Sequence, residues 1–116
     1  MTQYALLIYG RDVDWSLPEY GPELQEYGEF GQAHADAIQG GAALHPTSTA
    51  TTVRVKGARG GEVVTTDGPF AETKEAMTGF YLVEAPDRDT ALKIAEQCPG
   101  AWDGGIEVRP VLTFGG

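Results

Sequence analysis

Two short apolar runs, Tyr4–Tyr9 and Phe80–Val83, constrain this chain more than any other feature. Each is rich in strand-forming residues and bounded by turn residues, and neither shows the alternation expected of a strand with one wet face. Two strands that are apolar on both faces need cover from both sides. Helices can supply one cover, and a symmetric copy of the same sheet is the simplest candidate for the other.

The rest of the chain is read around these strands. Ser16-Leu17-Pro18-Glu19 has the form of a capping box and, with Pro22 following, predicts one short turn from Ser16 to Tyr20. Pro22 then opens a main helix that runs from about Pro22 to Gln39 and is stopped by Gly40-Gly41. On it Tyr20, Leu24, Tyr27, Phe30, His34 and Ile38 form one stripe that should face the sheet. His45 precedes Pro46 and is biased to an extended loop or strand edge. Thr51 to Lys56 alternates cleanly as a strand, Gly57 to Gly61 is a hairpin turn, and Glu62 to Thr66 returns as its partner. A last helix starts at Asp87 or Asp89 and stops at Pro99-Gly100, and a strand around Ile106–Arg109 closes the pattern.

The order is strand, helix, hairpin, strand, helix, strand. This is the split β-α-β pattern of an α+β, ferredoxin-like fold with one extra strand, in a single domain spanning residues 1–116.

Between the hairpin and the second apolar run lies Asp67-Gly68-Pro69-Phe70-Ala71-Glu72-Thr73-Lys74-Glu75. Asp-Gly-Pro must bend the backbone. In an extended segment Glu72 and Lys74 would point the same way, as an ion pair or as brackets around a polar ligand with Phe70 as an apolar wall. Asp67, at a strand end, is a candidate general base, provided burial raises its pKa. The competing reading makes Asp67 a turn former and Glu72 with Lys74 a solvated or subunit-bridging pair. His34 and His45 are the chain's two histidines and are candidate partners for this motif. For His34 the competing role is that of a half-buried histidine satisfied by a backbone carbonyl. A crevice between the motif and the helix face near His34 would suit a small polar molecule with an apolar part.

This motif, with Gly79-Phe80-Tyr81, resembles the signature of the DGPF branch of the YciI-like (YCII-related) proteins. The likeness extends to Tyr4–Tyr9, to Thr51-Thr52-Val53-Arg54 and to Glu107-Val108-Arg109-Pro110. It implies a subunit of the dimeric α+β barrel type, hence a homodimer, in a family whose biochemical role is mostly unassigned. The His/Asp pair proposed as an active site in better-known YciI-like proteins does not carry over, because no histidine stands at the start of this helix. The resemblance also implies a link to extracytoplasmic-function sigma factors, beside which DGPF-type proteins are often encoded.

Composition narrows the function classes. A formal charge of −9 with only eight Lys and Arg disfavours nucleic acid and anionic membranes as partners. The single cysteine, Cys98, has no partner for an internal disulfide and reads as a small packed residue in a cytoplasmic protein. The two histidines are eleven residues apart and no cysteine pair accompanies them, so no metal set is expected. Phosphate-loop, GxSxG and dinucleotide patterns are absent, and no cofactor is expected. Two classes stay open: a small-molecule enzyme (hydrolase, lyase or isomerase) using acid–base residues near the motif, and a non-catalytic ligand-binding or regulatory module.

Overall fold

A computed structural model describes residues 1–114. The first apolar run becomes β1 (Thr2–Gly10) and the second lies within β5 (Ala76–Ala85), and the two pair antiparallel as the central strands of a four-stranded sheet. A second strand, β2 (Ile38–Ala43), flanks β5, and the last strand, β6 (Gly105–Pro110), flanks β1. The order β2-β5-β1-β6, all antiparallel, with helices in the two crossovers, is a ferredoxin-like α+β arrangement.

The helix-side core follows from the two-residue period of the strands. Tyr4, Leu6 and Ile8 of β1 are buried, with Leu6 completely excluded from solvent, and Val83 lies opposite Tyr4 on the same face. Phe30 of α1 (Gly21–Ala33) and Ala91, Ile94 and Ala95 of α2 (Arg88–Glu96) close over them, with Cys98 fully buried. Burial pushes the Cys98 thiol up to about 11, so it packs as a neutral side chain. Asp87 caps α2, its carboxylate accepting from the Thr90 amide at 2.8 Å. A short helix α3 (Gly100–Asp103) leads into β6.

On the opposite face Ala5 pairs with Leu82 and Leu7 with Phe80, all four half-buried with no helix over them. The apolar character of both faces is therefore divided between a helix-covered side and an open side.

Three expectations are corrected. The main helix ends at Ala33, not near Gln39, because the His34 carbonyl accepts from the amides of Ala37 and Ile38, both at 3.0 Å, and turns the chain. Ile38 leaves the helix stripe and opens β2, so Gly40 and Gly41 are strand residues and not a helix stop. Their lack of side chains allows β2 to approach β5: a Cβ on Gly41 would run into the Phe80 carbonyl, and one on Gly79 would lie 2.7 Å from the Ala42 carbonyl. Second, the hairpin β3 (Thr51–Lys56) and β4 (Glu62–Asp67) forms its own two-stranded sheet instead of joining the main one. Third, Ser16 does not cap a helix. It donates to the Asp14 carboxylate, while Leu17 precedes a 3-10 turn at Pro18–Tyr20.

The hairpin stands off the body with most residues exposed, Val53 at 61% and Val63 at 64%. The chain's radius of gyration is accordingly 16.4 Å, against about 13 Å for a compact domain of this length.

Candidate functional site

Asp67 ends β4 opposite Thr51, and the turn that follows is held by backbone. The Gly68 amide donates to the Ala50 carbonyl at 2.7 Å, and Thr52 Oγ1 donates to the Gly68 carbonyl at 2.9 Å. Gly68 has φ +108°, which a side chain would strain, so this glycine is required by the turn. The Asp67 side chain is exposed and points into none of the cavities described below.

From Pro69 the chain bends instead of running extended, and the Thr73 hydroxyl donates to the Glu75 carbonyl. Glu72 and Lys74 therefore do not share a side. Pro69, Phe70 and Glu72 line an open cavity of about 850 Å³, whereas Lys74 is exposed outside it. Phe70 is 72% exposed, and the Arg54 guanidinium lies 4.4 Å from its ring centre, a cation–π contact that ties the motif to the hairpin.

The facing wall comes from the ends of β1 and β2. The Leu44 amide donates to the Thr78 carbonyl at 2.9 Å, carrying the ladder one residue past β2, so that His45 is delivered into the cavity wall. Asp12, just beyond β1, accepts from the Thr47 amide at 2.8 Å and from its hydroxyl. Those two bonds hold the Asp12 carboxyl below its usual range and fasten the His45–Thr49 segment to the end of the central strand. The Ser16 hydroxyl and amide hold the Asp14 carboxyl below its usual range, and nearby His45 adds a smaller contribution in the same direction. Glu72 makes no ion pair or side-chain hydrogen bond among the described residues, which leaves it the uncommitted carboxylate of the cavity.

The structure thus brings His45, Phe70 and Glu72 to one cavity and adds Asp12, Tyr9 and Met77. His34 is not among them. It follows the last turn of α1, its Nε2 hydrogen-bonded to Gln97 Oε1 at 2.9 Å and its ring 5.0 Å from that of Phe30. The partner is a side-chain amide from the end of α2 and not a backbone carbonyl, and the expected crevice between His34 and the motif does not form. Asp12 escaped sequence reading because its partner is Thr47, and no local pattern connects a loop aspartate with a hydroxyl in another loop. No grouping of three or more His, Cys, Asp or Glu side chains suited to a metal occurs among the described residues. Nor does any helix among them have the length and apolarity to cross a membrane.

Comparison with known proteins assigns the family. Residues 2–115 match the YCII-related domain. The chain belongs to the YCII-related family. It is 35% identical over 118 residues to a protein of Rhizobium meliloti (strain 1021) that is itself uncharacterized, a match that covers 96% of this chain and 93% of the relative. Membership of the YCII-related family agrees with the ferredoxin-like sheet and carries no reaction with it.

Proposed function

We propose that this YCII-related protein is a small-molecule enzyme of the cytoplasm, working by proton transfer in the cavity beside the Asp67–Glu75 motif. The observation that supports the reading is the meeting of His45, an uncommitted Glu72 and the apolar ring of Phe70 around one volume of about 850 Å³. Histidine exchanges protons near neutral pH, and a carboxylate on the other side of a bound molecule gives the second acid–base group that hydrolysis, elimination or isomerisation needs. Asp12 acts through position: by holding Thr47 it sets where His45 stands. Asp67 shapes the turn that presents Phe70. The resemblance of the Asp67–Glu75 motif to the DGPF signature supports membership of that branch of the family.

The open sheet face completes the reading. Ala5, Leu7, Phe80 and Leu82 form an apolar surface that a second copy would cover, in a homodimer of the α+β barrel type. A screen of small polar metabolites for thermal stabilisation tests the site. Hits should stabilise the native protein and lose their effect in His45→Ala and Phe70→Ala. Hits that stabilise all three proteins equally would place the ligand elsewhere.

One observation favours a second reading, a non-catalytic regulatory module that binds another protein. Val53, Val55 and Val63 of the projecting hairpin are all exposed, and a two-stranded hairpin alone is marginally stable in water. The sigma-factor link that the family resemblance implies belongs to this reading. Protease protection of the hairpin by a partner, without turnover of any small molecule, would favour it.

A further inference from the structure

A second concavity lies on the helix side of the sheet. Two adjoining cavities of about 220 and 290 Å³ share Ile8, Trp15, Tyr27 and Thr78, and between them only Tyr9 also lines the cavity of the motif. One end of this crevice is apolar, walled by Leu24, Tyr27 and Tyr81. The other end carries Glu23, Glu26 and Asp103 against a single cation, Arg11.

Arg11 is already committed. Its Nη2 donates to both Glu23 oxygens at 2.8 and 3.0 Å and to Asp103 at 3.4 Å, and its guanidinium lies 5.7 and 5.8 Å from the ring centres of Trp15 and Tyr20. The hydrogen bond and charge of Glu23 raise its pKa further, so it is a fixed positive charge. Three carboxylates against one guanidinium leave the polar end with a formal charge of −2. An incoming anion would have to pull Arg11 away from two carboxylates in a region already negative. A cation meets Glu26, which has no ion pair among the described residues, and Asp103, held only by the longer contact. Tyr27 lines both cavities, and its hydroxyl, which lies beside Gly100 at the polar end, makes no side-chain hydrogen bond among the described residues and can accept from an ammonium. The Arg11 guanidinium over Trp15 and Tyr20 shows that the aromatic surface here already accommodates a cation.

We infer that this crevice is a binding site for a small organic amine, its ammonium between Glu26, Asp103 and the Tyr27 hydroxyl and its apolar body along Leu24, Tyr27 and Tyr81. The site is independent of the proposed catalytic cavity and stands or falls separately from it.

The test titrates the full chain with three probes of similar size, 2-phenylethylamine, 2-phenylethanol and 3-phenylpropionate, followed by amide and indole NMR shifts. The amine should give saturable shifts at Arg11, the Trp15 indole and Tyr27, with the alcohol bound about fivefold or more weakly and the carboxylate weaker still. Glu26→Gln should weaken the amine about fivefold, as loss of a partly exposed ion pair of about 1 kcal/mol implies. Removing a like charge elsewhere, in Glu107→Gln, should leave amine binding unchanged. Equal binding of the three probes, amine shifts centred on Phe70 instead of Trp15, an equal effect of both substitutions, or no saturable shift at millimolar amine would each overturn the assignment.

Discussion

Replacing Gly79 by Ala should destabilise the protein by about 2 kcal/mol, whereas replacing Gly28 by Ala should stabilise it. The two substitutions add the same methyl group. At Gly79 the new Cβ would lie 2.7 Å from the Ala42 carbonyl oxygen and 3.3 Å from the Ala43 Cα. Both are backbone atoms of β2, so relief requires the whole strand to shift against a ladder that runs from Ile38 to Ala43. Overpacking of this kind costs about 1–3 kcal/mol. At Gly28, inside α1, the Cβ meets nothing within 4 Å, and the helix gains about 0.5–1 kcal/mol from the reduced freedom of the unfolded chain. For a domain of this size, roughly 4 °C of melting temperature corresponds to 1 kcal/mol. Calorimetry should therefore show a fall of about 8 °C for Gly79→Ala and a rise of about 2–4 °C for Gly28→Ala. A Gly79→Ala protein that melts with the native one would refute the pairing of β2 with β5, and with it the route that carries His45 to the cavity.

Three further outcomes follow from the same geometry. Asp12→Asn should lower stability at pH 7 by up to about 1 kcal/mol, since the bonds to Thr47 are exposed; because the folded carboxyl titrates below its unfolded value, near 3.9, the native advantage is complete above that pH and is lost as pH falls through the folded value, which paired urea melts at pH 7 and pH 3 would read. Asp67→Asn should melt within about 2 °C of the native protein and leave metabolite stabilisation intact, because Asn serves the turn as well as Asp; a selective loss of ligand response would return Asp67 to the catalytic candidates. Light scattering should give a particle of twice the 12.4 kDa chain, and Leu82→Asp should dissociate or unfold it, since a charge in a dry interface costs several kcal/mol; a native particle of one chain mass would remove the second copy from the open face.

The sequence carried the central strands well because Tyr4–Tyr9 and Phe80–Val83 are dense in apolar strand formers, and β1 and β5 extend those runs only at their ends. It also carried the Asp87 cap, whose signal is local. Its failure at β2 has a definite cause. Ile-Gln-Gly-Gly-Ala-Ala has little strand propensity, and two adjacent glycines after a helical pattern read as a stop. Here they serve close approach between backbones, a tertiary requirement that no local period encodes. The site divided in the same way. Phe70 and Glu72 are legible because they stand in a run of unusual composition, and His45 because histidines are few. Asp12 and the crevice at Arg11 and Tyr27 were not legible, since both depend on partners that only the fold brings near. His34 fitted the helix stripe and does lie at the helix end, but that end faces Gln97 and not the motif.

The most direct test of the proposed site is the pH dependence of binding of the strongest metabolite hit, measured calorimetrically from pH 5 to 8 in the native protein and in His45→Gln. Histidine is the side chain whose charge ordinarily changes in that interval. The native dissociation constant should change across the interval and the His45→Gln constant should be weaker and flat, with His34→Gln following the native curve. Identical pH profiles in the native and His45→Gln proteins, or a profile flattened by His34→Gln instead, would contradict the placement of proton transfer at His45.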